Sequence, residues 1–419
     1  MSSRRDRLIA ALAILLIPGA CATLLWIVLG LTRSGDYAVN GYVLGDNAGP
    51  ALSALVHGRL AAMASVQPLM GLTSLLWRAP FVAVADALGA GAQLAYAVGA
   101  LACLLPAAGL VAWLARDAGS VRRLVAVALA AAAIVAGPAT LQAAQIGHPE
   151  EALATVLATA AVLAAVGGRR GWAAVLLGLA VGTKQWSLLA MPCVLVALPD
   201  RRTAVAVRAM LIAGAAALVL PLADPAAFAH ADASVGSLHI ADPFSVWWGT
   251  GSGNGGDPGA LAHYLPAGVT RSQAAAVAVV LALGAIWGYG RRVGAGCVPR
   301  VDPLALLALV GLVRCVGDPD PLTYNFVAVV IPLAVWEAGS RRRLPLVTAL
   351  SCGALWLAPT GANAFLAGTG APLGEPLLSI VWIAAALALG GYLTRCAWRP
   401  RGVAAPAAAS ARRLPVPAA

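Results

Sequence analysis

The stretch Trp172–Leu198, WAAVLLGLAVGTKQWSLLAMPCVLVAL, decides how this chain is read, because it carries Lys184, the single lysine among 28 basic residues. An ionisable side chain inside an apolar segment at membrane depth marks a functional site by default. An Arg-, Ala- and Gly-rich coding bias would explain why the other basic residues are arginines. It does not explain why this lysine lies between two apolar runs.

Outward from that segment the whole chain is apolar. Of its 419 residues 61% are hydrophobic and 11% charged, with a mean hydropathy of +0.85. A soluble domain has about 25% charged residues, so the chain reads as an all-α polytopic membrane protein. The net charge of +11 does not argue for nucleic acid, since the arginines cluster in short loops between apolar spans. The seven cysteines are scattered, without metal spacing or a disulfide framework. Leu16–Cys21 resembles a lipoprotein cleavage site, but Pro18 fits it poorly and the apolar run continues to Leu31, so an uncleaved first helix is expected over 8–31.

Further apolar spans are expected near 92–115, 124–144, 151–167, 204–222, 272–290, 303–317, 322–338, 344–358 and 377–395. That gives about 10–12 transmembrane helices in one domain over 1–395, followed by a disordered cytoplasmic tail at 396–419. The basic residues at the N-terminus place it inside by the positive-inside rule. As one helix, 172–198 would be about 40 Å long against about 30 Å of hydrocarbon. It would also move Arg201, Arg202 and every later basic loop outside. A re-entrant pair broken at Gly182–Lys184 keeps them inside, as would one further, unrecognised span. With the break, the arginines gather inside except Arg33, Arg59, Arg78 and Arg271, which fall outside, and Arg314, which lies within a span, while all five histidines fall outside. A multi-pass cell-membrane protein follows, with both termini cytoplasmic and its chemistry on the external face.

The external loops hold the candidate residues. The loop 32–91 contains Asp36 and Asp46, then an apolar stripe of Ala48, Leu52, Leu55, Leu60 and Met63, with His57 off it, at the spacing of amphipathic helices on a membrane surface. Asp46 reads either as a helix-start residue or as a reactive carboxylate. His148 precedes Pro149-Glu150-Glu151, where Pro149 can open a helix and the carboxylates complement its dipole. Arg314, one turn below the outer surface, either pairs with Asp318 or binds an anion with Lys184. In the loop 223–271, Trp247 and Trp248 are either an interfacial anchor or a stacking platform for a sugar.

The order of these features resembles the GT-C superfamily of glycosyltransferases, and more narrowly the actinobacterial family 87 (DUF2029-type) polyprenyl-phosphate-mannose-dependent mannosyltransferases. The residues that carry it are Gly45-Asp46-Asn47, Gln67-Pro68-Leu69-Met70-Gly71, Gly147 to Glu151, Thr183-Lys184-Gln185-Trp186, Ser245 to Trp248, Arg314 to Asp320, and Trp336-Glu337. The segment Asp318–Asn325 departs from the pattern, with an extra proline and no bulky aromatic pair. The resemblance implies a GT-C-like fold and inverting transfer of a sugar, mannose by likeness, from a polyprenyl-phosphate donor to a lipid or glycan acceptor, with no cofactor or metal. Asp46 matches the general base, with Asp36 as the alternative. Lys184 and Arg314 would meet the donor phosphate; His57, His148, Glu150, Glu151, Gln185, Trp247 and Trp248 would line the substrate. A secondary transporter with a broken-helix site, or a catalytically silent lipid-glycan binder, are the rival expectations.

Overall fold

The computed structural model describes residues 48–68, 70–116, 120–236, 240–241, 244–248, 252–253, 263–266, 269–293, 302–319, 322–339, 344–356 and 374–398. Asp36, Asp46, the first expected span and the tail from 399 lie outside them. Among the described residues the regular structure is helical apart from three two-residue strands, β1 (Ile240–Ala241), β2 (Ser252–Gly253) and β3 (His263–Tyr264), paired antiparallel in the order β1-β3-β2. Among the described residues five helices are long and apolar enough to cross a membrane: Ala92–Ala115, Val121–Ala144, Pro149–Val166, Arg202–Ala223 and Ser379–Ala397. Other expected spans, including 272–290, 322–338 and 344–358, are shorter apolar helices.

Short helices come first: α1 (Ala48–Val56), α2 (Leu60–Val66), α3 (Leu72–Ala87), α4 (Ala92–Ala102) and α5 (Ala107–Ala115). The expected amphipathic helices over 48–63 are thus α1 and the start of α2, parted at Gly58, whose φ of +69° suits glycine. They do not lie alone on a surface. Leu52 and Met63 join Leu75, Val82 and Tyr96 in an apolar cluster of their own. The segment 66–88, read from sequence as loop, supplies α3, and Pro80 is accommodated inside it.

The main bundle follows: α6 (Val121–Ala136), α7 (Pro138–Ile146), α8 (Pro149–Val166), α9 (Arg170–Thr183), α10 (Ala190–Ala197), α11 (Arg202–Ala223), α12 (Pro225–Gly236), α13 (Arg271–Val293), α14 (Asp302–Gly317), α15 (Val327–Gly339), α16 (Leu346–Trp356) and α17 (Gly374–Trp398). Pro138 removes the N–H that would reach the Ile134 carbonyl, and the Thr140 hydroxyl donates to that carbonyl instead, at 2.9 Å. The helix α8 is apolar on every side and almost wholly buried, as a central helix must be. Packed around it, α14 and α15 are buried along nearly their full length. Pro332 frees the Ala328 carbonyl, which lies where a Cβ on Gly311 would sit. A bare glycine backbone is what lets α14 and α15 approach there.

The decisive local event is at Lys184. The Thr183 hydroxyl donates to the Leu179 carbonyl at 2.7 Å, Lys184 turns extended at φ −146°, ψ 126°, and a 3₁₀ turn, Gln185–Leu189, leads into α10. The chain then runs back: Asp200 pairs with Arg170 at the start of α9. The helix α11 lies beside α9 with Ile212 against Gly178 and Ala216 against Gly182, so these two helices run parallel and residues 185–198 run between their ends in reverse. Lys184 sits at one end of the bundle. Arg116, Arg123, Arg169, Arg170, Arg201 and Arg202 sit at the other, where Arg123 donates to the Ala338 carbonyl at the end of α15.

Candidate functional site

Local rules put the first carboxylates in place. Gly147, at φ +90°, ends α7 in a left-handed cap, and the His148 N–H returns to the Ala143 carbonyl at 2.8 Å. His148 becomes the N-cap of α8 with Pro149 at its first position, where a missing N–H costs nothing. Glu150 and Glu151 then occupy the first turn, and both are buried, with exposures of 0% and 3%. The helix dipole favours them there, but a dipole alone does not hold two buried carboxylates.

The break at Lys184 supplies the cations. Lys184 Nζ lies 3.1 Å from Glu150 Oε1 and 3.5 Å from Glu151 Oε1. His148 Nδ1 meets Glu150 Oε1 at 3.0 Å. The Trp186 indole N–H donates to Glu151 Oε2 at 2.7 Å. From α14, Arg314 Nη1 stands 3.8 Å from the same oxygen, and the guanidinium lies 4.5 Å over the Trp186 ring. That separation exceeds a hydrogen bond, and Arg314 Nη1 is buried with no hydrogen-bond partner; Glu150 Oε2 likewise has none. Arg314 is thus turned toward Glu151 and Trp186, with the Asp318 carboxylate also in electrostatic reach. His148 stacks on Tyr324 at 4.7 Å, and the Tyr324 N–H donates to Gln142 Oε1 at 2.8 Å.

Residues that the sequence placed elsewhere also belong here. Arg78, counted from sequence as an external loop arginine, is fully buried in α3. Its guanidinium lies 4.5 Å over the Tyr96 ring and its charge reaches Glu150, while its Nε and Nη2 have no hydrogen-bond partner. Tyr96 in turn donates to the Gly147 carbonyl at 3.1 Å. Arg78 adds a third cation to Lys184 and Arg314, and Asp318, one turn beyond Arg314, lies within electrostatic reach as a third carboxylate beside Glu150 and Glu151. The signal for Arg78 was in the sequence: it is the only basic residue in the apolar segment 66–88, which is the argument that singled out Lys184. Tyr96, Trp186 and Tyr324 carried no such signal, being aromatic residues in apolar company.

The motif Gln67–Gly71 docks on the break. Gln67 donates its side-chain amide to the carbonyls of Ala64, Leu220 and Asp224. The Gly71 N–H donates to the Thr183 carbonyl at 3.0 Å, satisfying an orphan acceptor at the end of α9, and the Gly182 carbonyl lies where a Cβ on Gly71 would sit. Two stretches more than a hundred residues apart in sequence therefore form one piece of structure.

Other candidates are not in the cluster. His57 is exposed, donates through Nδ1 to the Ser53 carbonyl at 2.8 Å, and lies 3.6 Å from Asp86. Gln185 is exposed at the start of the 3₁₀ turn. The Trp247 indole N–H donates to the Gly317 carbonyl at 2.9 Å, so that side chain caps α14 just beyond Arg314, and Trp248 is buried. Among the described residues no group of three His, Cys, Asp or Glu could hold a metal. Compared with known proteins, the chain matches no family model, no curated protein and no solved structure.

Proposed function

We propose that this chain is a multi-pass membrane glycosyltransferase that inverts the anomeric carbon of a sugar carried on a polyprenyl phosphate. The observation that carries the reading is the convergence of Lys184, Arg314, Glu150, Glu151 and His148 at the break after α9, with Arg78 behind them and the Gln67–Gly71 motif docked against the break. The family likeness rests on those short motifs and their order alone.

In this reading the arginine-rich end is cytoplasmic by the positive-inside rule. The segment 170–198 is then a re-entrant pair, and the cluster faces outside. Asp46, with Asp36 as the alternative, takes the proton of an acceptor hydroxyl as its oxygen attacks the anomeric carbon. The bond from that carbon to the phosphate oxygen breaks on the opposite face, and the lipid phosphate departs with its charge. Lys184 and the unsatisfied Nη1 of Arg314 stabilise that charge. Glu150 and Glu151 fix both cations, and Trp186 holds the guanidinium plane. The sugar is mannose by likeness, and the acceptor is a lipid or glycan.

The test is incubation of the purified chain in nanodiscs with polyprenyl-phosphate-mannose and a membrane lipid extract, reading mass-shifted products. Asp46→Asn should keep donor binding and lose about 10²- to 10⁴-fold in transfer. Folded protein that yields no product with any acceptor overturns the reading.

One observation favours a second reading. Lys184 is met by two carboxylates at a break between helices, an arrangement that also suits a secondary transporter. For a transporter, Lys184→Met would abolish solute uptake while Asp46→Asn would leave it intact. A catalytically silent lipid-glycan binder would retain the donor and transfer nothing in any variant.

A further inference from the structure

We infer that the groove at the arginine-rich end of α8 is a binding site for an anionic membrane phospholipid, its headgroup phosphate between Arg116 and Arg169 and an acyl chain along the helix. The groove has a volume of about 550 Å³. Its floor is one face of α8, Ala160, Leu163, Ala164 and Gly167, at the spacing that puts residues on a common helical stripe. The ends of α5 and the start of α9 form its walls. At Gly109 on the α5 wall a Cβ would meet nothing within 4 Å.

The shape and the charge select the ligand together. From Pro106 to Arg116 the α5 wall runs about 15 Å at 1.5 Å per residue, which is half of the roughly 30 Å hydrocarbon thickness and so one leaflet. The walls are apolar along that length and basic only at the end. There Arg116 and Arg169 are exposed, and Trp113 and Trp172 stand beside them, Trp172 at 62% exposure and Trp113 under the Arg116 guanidinium at 4.8 Å. Tryptophan at that level is characteristic of the membrane interface, and basic pockets between helices take anionic headgroups. Asp200, at the same end, pairs with Arg170. A free anion would use the arginines and leave the apolar floor unexplained; a zwitterionic lipid would use the floor and not the arginines. The site lies at the opposite end from Lys184, so it does not depend on the proposed transferase activity.

Native mass spectrometry of the full chain, released from micelles containing equal phosphatidylglycerol and phosphatidylcholine, tests this. The unmodified chain should retain the anionic lipid about thirtyfold over the zwitterionic one, the preference that two surface basic side chains confer. R116A/R169A should bring the ratio to about one, and because both side chains are exposed the fold should persist. Gly109→Leu keeps both arginines but fills the groove, and should lower retention of both lipids. Equal retention by the unmodified chain, an unchanged ratio in R116A/R169A, undiminished binding by Gly109→Leu, or displacement of the lipid by inorganic phosphate would each overturn the proposal.

Discussion

Lys184 and its carboxylates form a unit in which each member's burial is tolerable because the others are present. The lysine side chain is 14% exposed and Glu150 is fully buried, so removing one partner leaves an uncompensated charge. Lys184→Met should therefore destabilise the fold by about 3–5 kcal/mol. Combining it with Glu150→Gln should recover more than about 1 kcal/mol relative to additivity. Unfolding of the purified chain in detergent measures both; strict additivity would mean that the pair is not coupled. Trp186→Phe separates two roles of one side chain. It keeps a ring under Arg314 but removes the hydrogen bond to Glu151, so a loss of about 1.5–3 kcal/mol is expected, the worth of a hydrogen bond to a charged group. An unchanged midpoint for Trp186→Phe would show that the ring face, not the N–H, is what the site uses.

The helices meet through glycines at the positions where backbones touch, and chemically identical substitutions should differ in sign. Gly71→Ala would drive a methyl group into the carbonyls of Gly182 and Thr183, both backbone atoms that cannot swing aside. Gly311→Ala would do the same against the Ala328 carbonyl. Each should lower stability by more than about 2 kcal/mol, as overpacking does. Gly214, inside α11, has nothing within 4 Å of a Cβ, so Gly214→Ala should raise stability by about 0.5–1 kcal/mol. Thermal unfolding of the three variants side by side decides the matter; equal shifts would refute the close approaches. Some of this was legible beforehand. Pro149 as a helix start and the carboxylates in the first turn follow from local backbone chemistry, and a break near Gly182–Lys184 was one of two ways to keep the later basic loops on one side. The packing partners of Gly71 and Gly311 did not, because a glycine in sequence does not say which carbonyl comes near it.

Across the whole molecule, the reversal at Lys184 fixes which ends lie together. Arg170 and Asp200 meet, so cysteines placed at Gly168 and Pro199 should label from the same side of the membrane. The native cysteines among the described residues are buried apart from half-buried Cys352, which leaves a low background once Cys21 and Cys297 are replaced by serine. An impermeant maleimide should reach both introduced sites only after cells are opened, as the positive-inside rule requires. Labelling of Gly168Cys and Pro199Cys from opposite sides would mean that the segment crosses the membrane once. The same reversal places Lys184 opposite the arginine-rich end, so that the ion cluster and the groove beside Arg116 and Arg169 occupy different ends of one bundle.

What the sequence determined by itself were the properties that depend on composition and on neighbours along the chain: a helical protein built from apolar segments, a lone lysine between two apolar runs, and Glu150 and Glu151 behind a proline. Charge and hydropathy set these locally, and they hold whatever the helices pack against. The partners of those charges were decided only by tertiary structure. Glu150, Lys184, Arg314 and Arg78 come from four segments spread over more than two hundred residues, and no periodicity links them. Burial then sorted the candidates. It took Arg78 out of a presumed loop and set it behind the cluster, left His57 and Gln185 exposed, and made Trp247 a helix cap, because a buried charge must find its counter-charge in space wherever the fold puts it.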